Sequence, residues 1–180
     1  MFEGWGEFYL FAGGAAAVLI GLIFVVVTFM QDRPRSAVLA GAQLYMGPII
    51  LNLSFVLVLS AAALTPDINA GEMAAVTAVA ALWGLARGIW SIVGINRFRG
   101  DDQPPHWTDI WFYGAIPAAI HLCLAAVAVA FWQHWAGAER GLAVVIVGLL
   151  LAAIRNEWDL VTWLAPKADT PEPTFRLDDD

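Results

Sequence analysis

Five long apolar blocks, separated by short polar connections, constrain this chain more than any other feature of its sequence. A helix needs about 20 mostly apolar residues to cross the roughly 30 Å of hydrocarbon in a bilayer, and each block reaches that length. The blocks are apolar on all sides, unlike the alternating strands of a membrane barrel. We therefore predict an all-α membrane protein, a bundle of about five transmembrane helices, with spans at about 8–30, 37–64, 73–95, 110–132 and 142–164.

Composition supports this fold class and limits the partners. Of the 180 residues, 60% are hydrophobic and 14% are charged, whereas soluble domains average about 45–50% and 25%. We predict one bundle over residues 1–166 and an acidic, disordered cytoplasmic tail over 167–180, because that tail lacks the apolar residues for a core. The net charge of −7 argues against nucleic acid. The lipid bilayer is the expected partner, together with a second copy of the chain or another membrane protein.

The basic residues outside the blocks give the predicted bundle a direction. In a chain with five spans, the first and third connections and the C-terminal tail fall on one side of the membrane. The basic residues on that side are Arg33, Arg35, Arg97, Arg99, Lys167 and Arg176. The one basic residue outside the blocks that lies on the opposite side is Arg140. Because basic loops stay in the cytoplasm, we predict an N-terminus outside and a cytoplasmic C-terminus.

Charged side chains inside the fifth block are the first candidates for a site, because such groups are costly in a bilayer. Arg155 and Asp159 lie four residues apart on one helix face, where they can pair, and Asn156 shares that face. Glu157 points elsewhere, so its partner must come from another helix or from water.

Depth suggests that partner. At 1.5 Å per residue, Arg87 lies about 13–15 Å above the cytoplasmic end of the third helix, and Glu157 about 10–12 Å above that of the fifth. We predict one ionic cluster in the cytoplasmic half, in which Arg87 bonds to Glu157, Asp159 or both. The cluster is either a structural clamp between the third and fifth helices, an ion or proton path, or a site for a lipid headgroup or partner.

Three neutral polar residues define a candidate path beside that cluster. His121 lies near the midplane of the fourth block, four residues after Pro117, whose missing N–H frees a carbonyl one turn back. A hydrogen bond to a neighbouring helix and a proton relay both suit His121. Asn52 and Gln43 lie on the second block, where we favour an interhelical hydrogen bond for Asn52.

Small residues at four-residue spacing predict close helix packing on two blocks. They are Gly13, Ala17 and Gly21 on the first block and Gly84 and Gly88 on the third. The face on the first block suits packing within one chain or against another copy, and the sequence leaves both open.

Motifs of known chemistry are missing from the sequence. It has no P-loop, dinucleotide fingerprint, His-Glu-x-x-His or Gly-x-Ser-x-Gly, and no potassium-filter sequence. The single cysteine, Cys123, forms no intramolecular disulfide and no cysteine metal site. We predict no catalytic residues, no metal and no cofactor.

The two ends of the chain resemble a group of small bacterial multi-pass membrane proteins. Trp5-Gly6-Glu7-Phe8-Tyr9 and the glycine- and alanine-rich stretch after it resemble the start of these proteins, and Arg155-Asn156-x-Trp158-Asp159-Leu160 resembles their last helix. The matches cover two of the five blocks. The group has no assigned activity, so the resemblance implies a bacterial inner-membrane protein and no mechanism.

The sequence therefore favours a non-enzymatic membrane protein with a structural or accessory role, able to form homo-oligomers. The alternative is a small proton or ion channel or transporter. In it, Arg87, Glu157 and Asp159 would line a polar cavity open to the cytoplasm, with His121 at its upper end.

Overall fold

The fold consists of helices joined by short turns in the part of the chain that the computed structural model describes, which is residues 2–29, 46–97 and 110–164. A short π-helical segment, π1, leads directly into the fourth helix. The elements are α1 (Gly6–Phe29), α2 (Gly47–Ala63), α3 (Ala70–Arg97), π1 (Trp111–Ala115), α4 (Ile116–Trp132) and α5 (Ala138–Leu164). The predicted all-α fold is confirmed for these residues.

Three segments are long and apolar enough to cross a membrane. They are Gly6–Val26 in α1, Ala70–Val93 in α3, and Trp111–Trp132 in π1 and α4. The described part of α2 is apolar but shorter. α5 has 27 residues and bears Glu139 in its first turn. The molecule is thus a helical bundle with three segments suited to membrane insertion.

Successive helices run antiparallel. At one end of the bundle, the Tyr9 hydroxyl near the start of α1 donates to the Glu139 carbonyl at the start of α5, 3.1 Å away. The Phe2 ring, just before α1, lies 5.9 Å from the ring of Phe131 at the end of α4. We call this the amino-terminal end. The opposite end, which holds π1 and the last turns of α5, is called the polar end.

The amino-terminal end is closed by aromatic packing. Tyr9 is fully buried, and the rings of Phe2 and Phe8 meet it edge-on at 5.2 and 5.1 Å. Trp5 adds a second edge-on contact to Phe8 at 5.8 Å. Such edge-to-face pairs are favourable beyond the area they bury, so the start of α1 is held firmly against α4 and α5.

The helices that pack against each other are not the pair that the predicted clamp would join. α3 packs most extensively against α4, and α1 against α2. α5 contacts α1, α2 and α4. Because α2 and α4 each contact both α3 and α5, they lie between those two helices. The third and fifth helices therefore are not the packed pair that the comparison of depths suggested.

The small residues of α1 divide between two environments. A Cβ added at Gly13 would lie 3.2 Å from the Ser60 Cβ, so this glycine lets α1 approach α2 closely. Ala17 is exposed, and nothing lies within 4 Å of a Cβ added at Gly21. The predicted face thus contributes Gly13 to packing within the chain and leaves Ala17 and Gly21 uncovered.

Candidate functional site

Pro117 shapes the start of α4. The Ile116 N–H bonds to the Trp111 carbonyl five residues back, which is the π-helical spacing. The next residue, Pro117, has no N–H with which to continue this spacing to the Phe112 carbonyl. Asn156 of α5 replaces the missing backbone donor, because its Nδ2 donates to the Phe112 carbonyl over 3.1 Å. The side chain of Asn156 is buried, so it joins α5 to π1.

The charged residues of α5 surround that junction. The Arg155 guanidinium lies 3.5 Å from the centre of the Phe112 ring. Its Nη1 is 3.7 Å from Asp159 Oδ2, and these side chains are 39% and 48% exposed. Tyr113 of π1 donates its hydroxyl to the same Oδ2 over 3.0 Å. The predicted pair of Arg155 and Asp159 therefore lies at the rim of the polar end, where its charges are only partly desolvated.

Arg87 is not part of this cluster. Within the three described ranges, no ion pair joins Arg87 to Glu157 or to Asp159. Arg87 instead borders a small cavity between α2, α3, π1 and α4. Glu157 has a buried Oε1 with no hydrogen-bond partner in the described part of the chain. The structure thus separates the predicted cluster into the rim group on α5, an unpartnered Glu157 oxygen, and Arg87 at the cavity.

The cavity brings together polar residues from four elements. Its polar lining consists of Asn52 from α2, Arg87 from α3, Tyr113 from π1 and His121 from α4. The space open to the centre of a water-sized sphere is about 10 Å³, which is enough for roughly one water molecule. Two of the three predicted path residues, Asn52 and His121, therefore meet Arg87 here. The third, Gln43, lies outside the described residues.

His121 is held in one orientation. Its Nδ1 lies 2.7 Å from the Pro117 carbonyl. A carbonyl only accepts, so Nδ1 must carry the hydrogen and donate it. The ring is 1% exposed, and Phe55 of α2 meets it edge-on at 5.5 Å. The other ring nitrogen, Nε2, is buried without a hydrogen-bond partner in the described ranges.

Two glycines of α3 make room for this arrangement. A Cβ at Gly84 would overlap the imidazole of His121, and a Cβ at Gly88 would lie 3.1 Å from the Ala118 Cβ. Both glycines also border the cavity. α3 can therefore lie this close to α4 only because these positions have no side chain.

Asn52 is the second residue at the cavity with a buried polar atom that lacks a hydrogen-bond partner among the described residues. It is 3% exposed, and its Nδ2 has no hydrogen-bond partner among the described residues. An unmade hydrogen bond at a buried donor costs about 1–3 kcal/mol. Asn52 and His121, two residues that line one cavity from different helices, thus each carry a buried nitrogen without a partner among the described residues.

Sequence reasoning missed the contributions of Phe112 and Tyr113. A usable signal was present, since both residues precede Pro117 by one helical turn and the carbonyl freed by a proline must find a donor. The sequence marks Asn156 as a polar residue within the bilayer, but it does not name the acceptor. The carbonyl that Pro117 leaves without a donor is that acceptor.

Comparison of the chain with protein-family models, with curated proteins and with solved structures finds no match. The resemblance to small bacterial membrane proteins therefore stays a prediction. Within residues 2–29, 46–97 and 110–164, no group of three or more His, Cys, Asp or Glu side chains is placed to hold a metal ion.

Proposed function

We propose that this chain is a five-span protein of the bacterial inner membrane, with its N-terminus outside, and that it has a structural or accessory role there. The observation that carries the proposal is that polar groups inside the bundle join helices to one another. Asn156 bonds to the Phe112 carbonyl across two elements, and Tyr113 bonds to Asp159 across the same pair. Such bonds between helices fix the packing of a membrane bundle.

The size of the cavity supports the same role. About 10 Å³ of space for water centres accommodates roughly a single water molecule, whereas conduction needs a chain of sites that an ion can enter and leave. The small cavity beside Asn52, Arg87 and His121 suits a compact scaffold.

Homo-oligomers are part of this proposal. Ala17 and Gly21 lie on an uncovered face of α1, and small residues allow the backbones of two membrane helices to approach closely. A second copy, or the helix of another membrane protein, is the partner that this face suits.

Flux measurements on proteoliposomes test the structural role. We expect wild-type protein to carry no proton or ion current above that of empty liposomes. Glu157→Gln should behave identically, because the role assigned here requires no titrating carboxylate. A flux present in the wild type and lost in Glu157→Gln would replace this function with the second one below.

A small proton or ion channel or transporter is the second candidate. It is favoured by His121 Nε2 and Asn52 Nδ2, which have no hydrogen-bond partner among the described residues and belong to residues that line the same cavity as Arg87. Intramembrane polar groups without partners commonly line ion pathways. In this function the narrow cavity is one state of a cycle, and a second, wider state would admit the transported ion.

A further inference from the structure

We propose that the cavity between α2, α3, π1 and α4 binds one small monovalent anion, held by Arg87 and Asn52, together with one proton taken up on His121. The inference goes beyond the structural role, because it assigns a ligand to side chains that no helix-joining bond uses. It stands on three features of residues 2–29, 46–97 and 110–164: a cation without a carboxylate partner there, a buried amide donor without an acceptor, and a histidine nitrogen without a hydrogen-bond partner.

Arg87 requires a negative charge nearby. Its guanidinium is ionised at all physiological pH values, and a charge among apolar helices is costly unless it is paired. Neither Glu157 nor Asp159 forms that pair within the described residues. The Asp159 carboxylate is engaged instead by Arg155 and Tyr113. An anion in the cavity that Arg87 borders supplies the missing charge.

Asn52 adds a buried amide donor on a residue that lines the same space. Its Nδ2 is buried and without an acceptor in the described structure, and Asn52 borders the cavity beside Arg87. An amide nitrogen carries two N–H groups and cannot accept a hydrogen bond. The group it lacks is therefore an acceptor, as an anion is.

His121 determines that a proton accompanies the anion. Because Nδ1 donates to the Pro117 carbonyl, the neutral ring presents a lone pair at Nε2, which an anion would avoid. A proton added at Nε2 turns this nitrogen into a donor, and no other bond has to change. Imidazolium and guanidinium repel each other across one cavity, so the anion between them stabilises both.

The groups around His121 support this coupling. α3 contributes the positive charge of Arg87, and π1 contributes Tyr113, whose hydroxyl donates to Asp159 of α5. α2 contributes Asn52 and the Phe55 ring, which are uncharged. With Arg87 the charged group that borders the cavity, a proton on His121 is unfavourable until the anion enters.

The cavity volume selects the class of anion. Space for about 10 Å³ of water centres holds roughly one water molecule, so a single-atom anion is the only kind small enough. A lipid phosphodiester is several times larger and would require the helices to separate. Chloride is thus the ligand that we assign, and a lipid headgroup is the competing source of the same negative charge.

Chloride NMR line broadening on the purified full-length protein tests the site. We expect broadening that saturates with chloride, is displaced by bromide and is unaffected by gluconate. As the pH falls from about 8 to about 6, the apparent affinity for chloride should rise, because one proton enters with each anion. The rise is up to tenfold per pH unit over the range in which His121 is neutral in the empty site. Arg87→Gln should abolish the saturable broadening, and Arg140→Gln, which removes an exposed charge far from the cavity, should leave it unchanged.

Asn52→Asp keeps the test decisive if Arg87→Gln does not fold. This variant places a carboxylate beside Arg87, so it should remain monodisperse and lose chloride binding. The proposal is overturned if wild-type protein shows no saturable broadening, or if broadening persists in both variants. A pH-independent affinity would overturn the proton uptake. A co-purified phospholipid seen by native mass spectrometry and lost in Arg87→Gln would assign the charge to a headgroup instead.

Discussion

Among the described glycines, the tightest steric requirement falls on Gly84. Because Gly84 has no side chain, the His121 ring fills the space beside it, and both residues are buried. We expect Gly84→Ala to force the ring or the helix to move, at a cost of roughly 1–3 kcal/mol, as is typical of overpacking in a dense core. The measurement is thermal unfolding of the purified protein in detergent.

Gly14→Ala is the matched control on another helix. Nothing lies within 4 Å of a Cβ added at Gly14, so the same substitution should be neutral or should stabilise the helix by about 0.5–1 kcal/mol. Combining Gly84→Ala with His121→Ala should recover part of the loss by removing the ring from the contested space. Equal effects of the two glycine substitutions would disprove the steric account.

The polar residues of the site could be predicted from the sequence, but the residues that they contact could not. Asn52, Arg87 and His121 stand out in the sequence because polar groups are rare in apolar blocks. Depth along a helix follows from counting residues, which is why Arg87 was compared with Glu157. Direction around the helix also decides a contact, and it depends on which helices are neighbours. No residue count supplies that information.

Among the elements, π1 depends most on a residue from elsewhere in the chain. Pro117 leaves the Phe112 carbonyl without its next backbone donor, and Asn156 supplies one from α5. We expect Asn156→Ala to lower the free energy of unfolding by about 1–2 kcal/mol, the range of hydrogen bonds between membrane helices. In a Pro117→Ala background the cost should fall, because the new N–H can bond within the helix.

The control for this cycle is Thr162→Val on the same helix. The Thr162 hydroxyl bonds to the Trp158 and Asp159 carbonyls of its own helix, so its loss should not depend on Pro117. Thermal unfolding of the single and double variants gives the coupling energy. Additive effects of Asn156→Ala and Pro117→Ala would show that Asn156 does not compensate for the proline.

The positions of the helices along the chain were predictable because each helix follows from its own run of apolar residues. The predicted spans at 8–30, 73–95 and 142–164 correspond to α1, α3 and α5, and the span at 110–132 to π1 with α4. For the span at 37–64, the structure describes α2 over Gly47–Ala63, and residues 30–45 lie outside the described part. The π-helical turn was not predicted, because it needs both Pro117 and a donor from a distant helix.

For the whole molecule, the antiparallel order of the helices places three points on one side if every helix spans the membrane. Glu3, the α2–α3 connection and the α4–α5 connection would all lie at the amino-terminal end, since Tyr9 contacts Glu139 there. The tail after α5 would lie at the other end. The basic connections favour the cytoplasm for that end, so an outside N-terminus and a cytoplasmic C-terminus are expected together.

Cysteine labelling of spheroplasts tests this arrangement. In a Cys123→Ala background, a membrane-impermeant maleimide should label Glu3→Cys and Gln133→Cys from outside, because both positions are exposed at the amino-terminal end. Asp178→Cys should react only after lysis, because an odd number of spans places it across the bilayer. Cys123 alone should react poorly under both conditions, since its exposed thiol lies within an apolar span that lipid would cover. Labelling of both Glu3→Cys and Asp178→Cys in intact spheroplasts would mean an even number of crossings. Labelling of Glu3→Cys and Gln133→Cys only after lysis would mean the inverse orientation.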